Sequence, residues 1–313
     1  MKKISFNKYG DPSVLTVIEA PKPEPEEGEV LIKVAAAGVN PIDYKTRNGS
    51  LKFIAPGKLP KTPGVEVAGT IEKIGPAVKR LKVGDKVFAM MGMIGGGYTE
   101  YISLKEDLVS KIPSGISLQD AASVPLGALT ALQSLKDYGK LTSGMKVLIN
   151  GASGGVGIFG VQIAKALGAH VTAVCSGRNQ EFVKGLGADE VIDYQTNDFT
   201  KSDKKYDLVF DAVATLSPGK CRKIIPKGGR YVSTIPAPGL MLLQATNFIR
   251  SRKAFGMLCK AGHKDLDYIA SLIAEGMLKT SIEKIFDLKD ASEAHTHIET
   301  GRTRGKLIIK MPH

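Results

Sequence analysis

Residues 146–157 read KVLINGASGGVG, and this stretch decides the fold. Lys146-Val-Leu-Ile-Asn150 is a short apolar run of buried-strand character. Gly151, Gly154 and Gly157 follow at intervals of three. The segment Gly154 to Gly168 then carries Val156, Phe159, Ile163 and Leu167 on one side at helical spacing. A chain turning sharply from strand into helix favours a residue without Cβ. The helix N-terminus presents N–H groups and the positive end of a dipole, which suits a closely approaching pyrophosphate. Inside a strand–turn–helix–strand unit, the triplet predicts a dinucleotide site. A rival reading uses the same residues. Gly151-x-Ser153-x-Gly155 matches the nucleophile elbow of serine hydrolases, and Asp211 with His263, His295 or His297 stands in the required chain order. Cofactor packing explains Gly157 and the elbow does not, so a hydrolase using Ser153 is the remote alternative.

Outward from the turn, strands and helices alternate. His170 to Val174, Tyr206 to Phe210 and Arg230 to Thr234 read as strands, and Arg178 to Leu186 as a helix. This pattern implies a parallel sheet with right-handed crossovers. The second strand ends Val174-Cys-Ser-Gly-Arg-Asn179, and no Asp or Glu occurs from Val171 to Gln180. An NAD site usually carries an acid there for the ribose 2′-hydroxyl. Ser176, Arg178 and Asn179 instead suit a 2′-phosphate, which favours NADP(H).

Upstream, roughly the first 115 residues read as short strands broken by Gly and Pro: Val30 to Ala35, Val65 to Ile74, and Asp85 to Met90. Such turn chemistry suggests a partly open β-barrel. Leu118 to Tyr138 is helix-friendly. Downstream, residues 236–250 form an apolar run after two prolines, and Asp265 to Met277 reads as an amphipathic helix with Leu266, Ile269, Ile273 and Met277 aligned. Asp290 to Thr300 is a second helix, and Lys306 to Lys310 a final strand.

A chain of 313 residues suggests two domains. Cys175, Cys221 and Cys259 stand too far apart for a zinc knuckle or a disulfide framework. The N-terminus MKKISFNKYG lacks an apolar signal core, and no window approaches the ~18 apolar residues of a membrane span. The expectation is a soluble cytoplasmic protein. The net charge of +12 comes with lysines scattered along the chain. The denser clusters at residues 201–205 and 302–306 lack interleaved aromatics, so no nucleic acid partner is expected.

Further motifs precede the glycine turn: Gly64-Val-Glu-Val-Ala-Gly69, Val83-Gly-Asp85-Lys-Val87, Asn40-Pro-Ile-Asp43-Tyr-Lys45 and Gly96-Gly-Tyr-Thr-Glu-Tyr101, with Gly305-Lys306-Leu-Ile-Ile at the end. With these, nearly the whole chain resembles the medium-chain dehydrogenase/reductase superfamily, in its zinc-independent quinone and enone (2-alkenal) oxidoreductase branch. The resemblance implies a GroES-like, partly open β-barrel domain (residues 1–120 and 257–313) and a Rossmann doubly wound parallel-sheet domain (residues 121–256). Zinc-dependent relatives place a Cys where Asn40 stands and a His where Val65 stands. Val65 cannot ligate, so no catalytic metal is expected.

The implied activity is hydride transfer from NADPH to a quinone or to the C=C of an α,β-unsaturated carbonyl. Catalytic candidates cluster at the Asn40 turn. Asn40 would offer its amide to the carbonyl oxygen or the ribose, Lys45 would reach the ribose or pyrophosphate, and Asp43 would orient Lys45. Tyr44 and Tyr98 are possible donors to substrate. For the cofactor, the resemblance maps Thr130 near the nicotinamide and Ser153, Gly154, Gly155 and Val156 at the pyrophosphate. Ser176, Gly177, Arg178, Asn179 and Tyr194 would surround the 2′-phosphate. Ala212, Val213 and Thr234 would lie beside the nicotinamide ribose, with Gly305 and Lys306 closing from the tail. The loops Leu51 to Leu59, Met90 to Gly97 and Leu240 to Phe248 suggest a small hydrophobic electrophile as substrate. A homodimer is expected. Residues 236–250, ending in Arg250-Ser-Arg252-Lys253, would line the substrate cleft or a dimer interface, with peripheral membrane contact as the lesser reading. The non-catalytic alternative is an NADPH-binding protein of crystallin-like or RNA-binding type.

Overall fold

The computed structural model describes residues 1–53 and 57–312, so residues 54–56 of the expected pocket loop lie outside the described residues. In chain order come β1 (Lys2–Ser5), β2 (Thr16–Glu19), β3 (Glu29–Val39), α1 (Pro41–Arg47), β4 (Glu66–Ile74), β5 (Lys86–Met90), β6 (Tyr101–Lys105), β7 (Val109–Lys111) and α2 (Leu118–Ala122). They are followed by α3 (Pro125–Gln133), β8 (Lys146–Asn150), α4 (Gly157–Ala166), β9 (His170–Cys175), α5 (Gln180–Gly185) and β10 (Glu190–Asp193). Next are β11 (Leu208–Asp211), β12 (Arg230–Ser233), α6 (Pro238–Ala245) and β13 (Lys253–Gly256). The tail adds α7 (His263–Ala274), β14 (Ile282–Asp287), α8 (Ala291–Glu299) and β15 (Lys306–Lys310).

These elements divide into two units. The first comprises residues up to Leu126, Lys260–Glu275, and the tail from Thr280; the second comprises Gly127–Cys259 and Gly276–Lys279. Residues 121–126 therefore belong with the barrel and 257–259 with the nucleotide fold. The reason for the first shift is packing, because α2 lies on β3 and β4.

The first unit is a seven-stranded sheet in the order β14-β15-β3-β4-β5-β7, with β6 also paired to β3. The tail strand β15 joins antiparallel to β3, setting Leu307 opposite Val39. Its core gathers Val30, Ile32, Val34, Ile71, Phe286 and Leu307 among others.

The second unit is a six-stranded sheet in the order β10-β9-β8-β11-β12-β13. All pairs are parallel. This is the doubly wound order, whose direction reverses between β8 and β11. Val147, Ile149, Val171, Val209 and Phe210 are fully buried, as strands covered on both faces require.

Three helices differ from expectation. Leu118 to Tyr138 is not one helix: Ser123 Oγ donates to the Asp120 carbonyl at 2.6 Å and closes α2. Pro125 disfavours helix at the residue before it, so α3 starts afresh. In α4 the residues Gly157 to Ala164 are all buried, so no single side faces the core. In α7 the buried residues are Leu266, Ile269 and Leu272. Met277 lies past the helix end and is exposed, because Gly276 takes φ +73° and turns the chain.

Candidate active site

In the second unit the three glycines of the turn have three different causes. Gly151 adopts φ +77°, and a Cβ there would meet Val213 Cγ1 at 2.4 Å. A Cβ on Gly157 would stand 2.1 Å from the Gly151 carbonyl oxygen. Both are glycine because strand, turn and helix pack too closely for anything else. Gly154 is different: a Cβ there would meet only the Gly151 oxygen, at 3.5 Å. Its face is open, just ahead of the first turn of α4, whose N–H groups have no intrahelical partners. The turn is tied to its strand by the Gly151 and Ala152 amides, both donating to the Val174 carbonyl at 3.1 and 3.0 Å.

The ends of four strands converge around this turn. Asn179 is buried, and its Nδ2 donates to Ser153 Oγ at 3.1 Å and Ser176 Oγ at 3.3 Å. Gly177 and Arg178 are exposed in the tight turn ahead of α5. Tyr194 follows β10, is 56% exposed, and donates its amide to the Cys175 carbonyl. Val213 packs on Gly151, and Thr234 Oγ1 donates to the Ala212 carbonyl at 3.3 Å. Gly127 in α3 passes close to the Gly155 carbonyl, and buried Thr130 sits one turn further along that helix. The expected cofactor residues of this unit are thus brought together, and an open glycine at a helix N-terminus beside the switch point fits a dinucleotide.

One neighbour was missed by reading β9 alone. Asp193, at the end of β10, carries a carboxylate Oδ2 that a Cβ on Gly177 would meet at 2.6 Å. The fold therefore brings an acid near Gly177 from an adjacent strand, because β10 pairs with β9 so that Asp193 lies opposite Cys175.

The hydrolase reading fails in this unit. Ser153 Oγ accepts from Asn179, and the Asp211 carboxylate accepts from Asn150 Nδ2, Tyr231 Oη and the Leu216 amide. Neither group has a histidine partner among the described residues. His263 and His297 face Asp107 and Glu283 instead.

In the first unit the Asn40 turn is held by a buried polar cluster. Pro41 opens α1 at the position where a missing N–H costs nothing. Asp43 accepts from the Asn40 amide at 2.8 Å, from the Gly64 amide at 3.0 Å and from Tyr98 Oη at 3.3 Å. Asn40 Nδ2 donates to Glu66 Oε1 at 2.7 Å, and Lys306 Nζ donates both to Asn40 Oδ1 and to Glu66 Oε1. The other Glu66 oxygen accepts from the Leu126 amide at 2.6 Å. Gly38 makes room for this carboxylate, since a Cβ there would overlap Glu66 Oε1 at 2.0 Å. All of these charged groups are buried. Burial, reinforced by the Glu66 charge, pushes the Asp43 carboxyl up to about 7. The cluster is then neutral when Asp43 holds a proton, with Glu66 and Lys306 cancelling. Tyr98 is pushed well above the usual phenol range by the same burial and by Asp43.

Several expectations are corrected by this geometry. Lys306 does not project from the tail toward a cofactor; it is 2% exposed and bound within the barrel unit. Gly305 has a packing cause, as its φ is +78° and a Cβ would meet the Ser281 carbonyl oxygen at 2.3 Å. Asp43 has no bond to Lys45 among the described residues; it staples Asn40 to Gly64 and Tyr98. Tyr98 is fully buried and donates to Asp43, so it cannot serve substrate. Asn40 has both ends of its amide occupied by Glu66 and Lys306. Tyr44 and Lys45 remain half-exposed on α1.

Glu66 and Arg47 escaped the sequence reading, and His295 entered it only as a candidate triad histidine. Glu66 had a signal, a carboxylate amid the apolar residues of Gly64-Val-Glu-Val-Ala. Arg47 is fully buried, pairs with Glu299 and donates to the Gly10 carbonyl at 2.7 Å. His295 is buried edge-on to Tyr98, at 5.8 Å between ring centres, and desolvation lowers it to about 3. Nothing local in the sequence signalled the burial of either.

Comparison with known proteins agrees with this architecture. Residues 26–114 match the alcohol dehydrogenase GroES-like domain, and residues 186–309 match a family described as zinc-binding dehydrogenase. The chain is 38% identical to a chloroplastic quinone-oxidoreductase of Triphysaria versicolor, covering 99% of this chain and 98% of the relative. The chain belongs to the medium-chain dehydrogenase/reductase superfamily, in its zinc-independent quinone and enone oxidoreductase branch. Within this branch it is 33% identical to the chloroplastic NADPH-dependent alkenal/one oxidoreductase of Arabidopsis thaliana, over 99% of this chain and 79% of the relative. The crystal structure of Escherichia coli quinone oxidoreductase complexed with NADPH superposes with a TM-score of 0.86 at 27% identity, over 99% of this chain and 100% of that one. The donor set suits the zinc-independent branch: Val65 has no ligating atom, and Asn40 is committed to Glu66 and Lys306.

Proposed function

We propose that this oxidoreductase uses NADPH to reduce a small hydrophobic electrophile, a quinone or the C=C of an α,β-unsaturated carbonyl. The observation that carries the reading is the open Gly154 face at the start of α4, ringed by Ser153, Ser176 and Asn179. Ser153 to Val156 would hold the pyrophosphate, and Ser176, Arg178, Asn179 and Tyr194 the 2′-phosphate. The nicotinamide, when bound, supplies the hydride.

The barrel residues divide into support and contact. Glu66 and Lys306 lock the Asn40 amide, and Asp43 with Tyr98 locks the backbone of the same turn. These are positioning residues. Tyr44 and Lys45 are the free donors of α1, and we assign them the developing oxyanion of the substrate and the cofactor ribose. A preformed, buried support lets such donors act without reorganising.

The test is nicotinamide absorbance loss with NADPH and NADH in parallel, offered an enone, a short alkenal and a 1,4-quinone. Faster turnover with NADPH supports the Arg178 assignment, and the preferred acceptor names the substrate class. Tight NADPH binding without turnover of any acceptor would sink the enzymatic reading in favour of a binding protein. Absence of nicotinamide binding would sink both.

A further inference from the structure

Gly177 is a glycine without a backbone reason to be one. It lies in the exposed turn between β9 and α5 and takes no positive φ. A Cβ built there would meet one side chain within 4 Å, that of Asp193, with Oδ2 at 2.6 Å and Cγ at 3.5 Å. The missing Cβ is therefore the space that this carboxylate uses.

Asp193 is held in that place by its own strand and turn. β10 pairs parallel to β9 and sets Asp193 opposite Cys175. The Gln195 amide donates to Asp193 Oδ1 at 2.9 Å, and the Asn197 amide donates to the Asp193 carbonyl at 3.0 Å. One carboxylate oxygen thus caps the turn after β10, and the other stands against Gly177. Capping alone needs only Oδ1 and leaves the glycine unexplained. Acids at the other end of this strand are neutralised: Lys165 Nζ meets Asp189 at 2.8 Å, and Lys204 Nζ meets Glu190 at 2.6 Å. Asp193 forms no ion pair among the described residues. Burial, with the Asp193 charge adding, pushes the Cys175 thiol up to about 11, so the carboxylate is felt at the end of β9.

We infer that Asp193 is a cofactor-specificity residue, accepting a hydroxyl of the adenosine ribose and opposing a 2′-phosphate, so that the protein takes NADH as well as NADPH. The inference rests on the dinucleotide site proposed above and changes what that site selects. On β9 and its turn, Ser176, Arg178 and Asn179 suit a phosphate, and no acid stands there for a ribose hydroxyl. A dinucleotide fold usually supplies that acid from the strand after the glycine turn. Here it arrives from the next strand over, through the gap left at Gly177. A carboxylate accepts from a hydroxyl but repels a phosphate, and Arg178 beside Gly177 pulls the other way.

The experiment is calorimetric titration of the whole chain with ADP-ribose and 2′-phospho-ADP-ribose, fragments that carry no nicotinamide. Wild type is expected to bind both. D193N keeps the turn-capping oxygen and removes the charge. It is expected to tighten the phosphorylated fragment about fivefold and to weaken the other about tenfold. An unchanged melting temperature of D193N shows the turn intact. G177A, whose Cβ displaces the carboxylate, is expected to shift the two affinities in the same directions, and to shift neither in a D193A background. Equal changes for both fragments in D193N, or no change, overturn the proposal and leave Asp193 a turn former. Wild type that binds the phosphorylated fragment alone overturns it too, with the NADPH reading left standing. Failure of both fragments to bind wild type sinks the dinucleotide site itself, and the proposal with it.

Discussion

The barrel unit and the nucleotide unit both place polar groups beside a glycine-bearing turn, yet they treat them oppositely. At Asn40 every polar atom answers another from the protein: Asp43 meets Asn40, Gly64 and Tyr98, and Glu66 meets Asn40, Lys306 and Leu126. At Gly154 the protein leaves a face open at a helix start and surrounds it with small hydroxyls and an amide. The first arrangement is a support and the second is a receptor. A buried ion pair that satisfies itself rigidifies a turn, whereas N–H groups at a helix start, which have no intrahelical partners, suit an anion.

Breaking the support tests the comparison most severely. Lys306→Met leaves the Glu66 carboxylate buried without its ion-pair partner, and is expected to destabilise the protein by about 3–5 kcal/mol. E66Q/K306M removes both charges and recovers most of that loss. Urea titration of the three proteins measures it; equal stability of K306M and wild type would show that the pair is not closed on itself.

Protonation gives the next largest effect. The native His295 resists its proton down to about 3, while the unfolded imidazole takes one near 6.5. The unfolded state therefore binds more protons between those values, and stability falls as pH drops through that window. Asp43 acts in the opposite sense: it keeps a proton up to about 7 that the unfolded carboxyl releases near 4, so stability falls as pH rises between them. His295→Phe removes only the first slope. At pH 4 it should gain about 3 kcal/mol over wild type relative to the difference at pH 7. Urea midpoints at the two pH values decide this, and an unchanged difference would place His295 in a wetter setting.

The receptor is probed with smaller changes. Arg178→Ala should lower the NADPH to NADH ratio of kcat/KM about tenfold, which is about 1.4 kcal/mol, without shifting Tm. Asp193→Asn is expected to raise the same ratio by removing the carboxylate next to Gly177. Gly154→Ala should cost under ~1 kcal/mol of stability because its Cβ has room, while NADPH affinity falls. Gly157→Ala, whose Cβ would strike the Gly151 carbonyl, should lower Tm as well. If both variants behaved alike, the distinction between packing and ligand glycines would collapse.

The nucleotide unit was largely legible because its signals are local. Gly151, Gly154 and Gly157 sit within one turn, and the neighbouring strands read as unbroken apolar runs. What escaped in this unit came from pairing: Asp193 reaches Gly177 only because β10 lies beside β9. In the barrel the Asn40 motif located the turn but misassigned its atoms. Asp43, Tyr98 and Lys306 looked like groups for catalysis or cofactor, but Tyr98 is bonded to Asp43 and Lys306 to Asn40 and Glu66. Their partners are up to 266 residues apart in the chain, between Asn40 and Lys306, which no periodicity can reveal.

Composition, the strand–helix alternation and the glycine spacing were thus enough to specify two domains, the parallel sheet and a dinucleotide site, because each depends on residues within a turn or two of one another. Which carboxylates are buried, which lysine is spent inside the barrel and which apolar residues of 236–250 face outward were decided by packing. Those properties belong to distances between elements, and burial, reinforced by the Glu66 and Arg47 charges, pushes Asp43 up and His295 down.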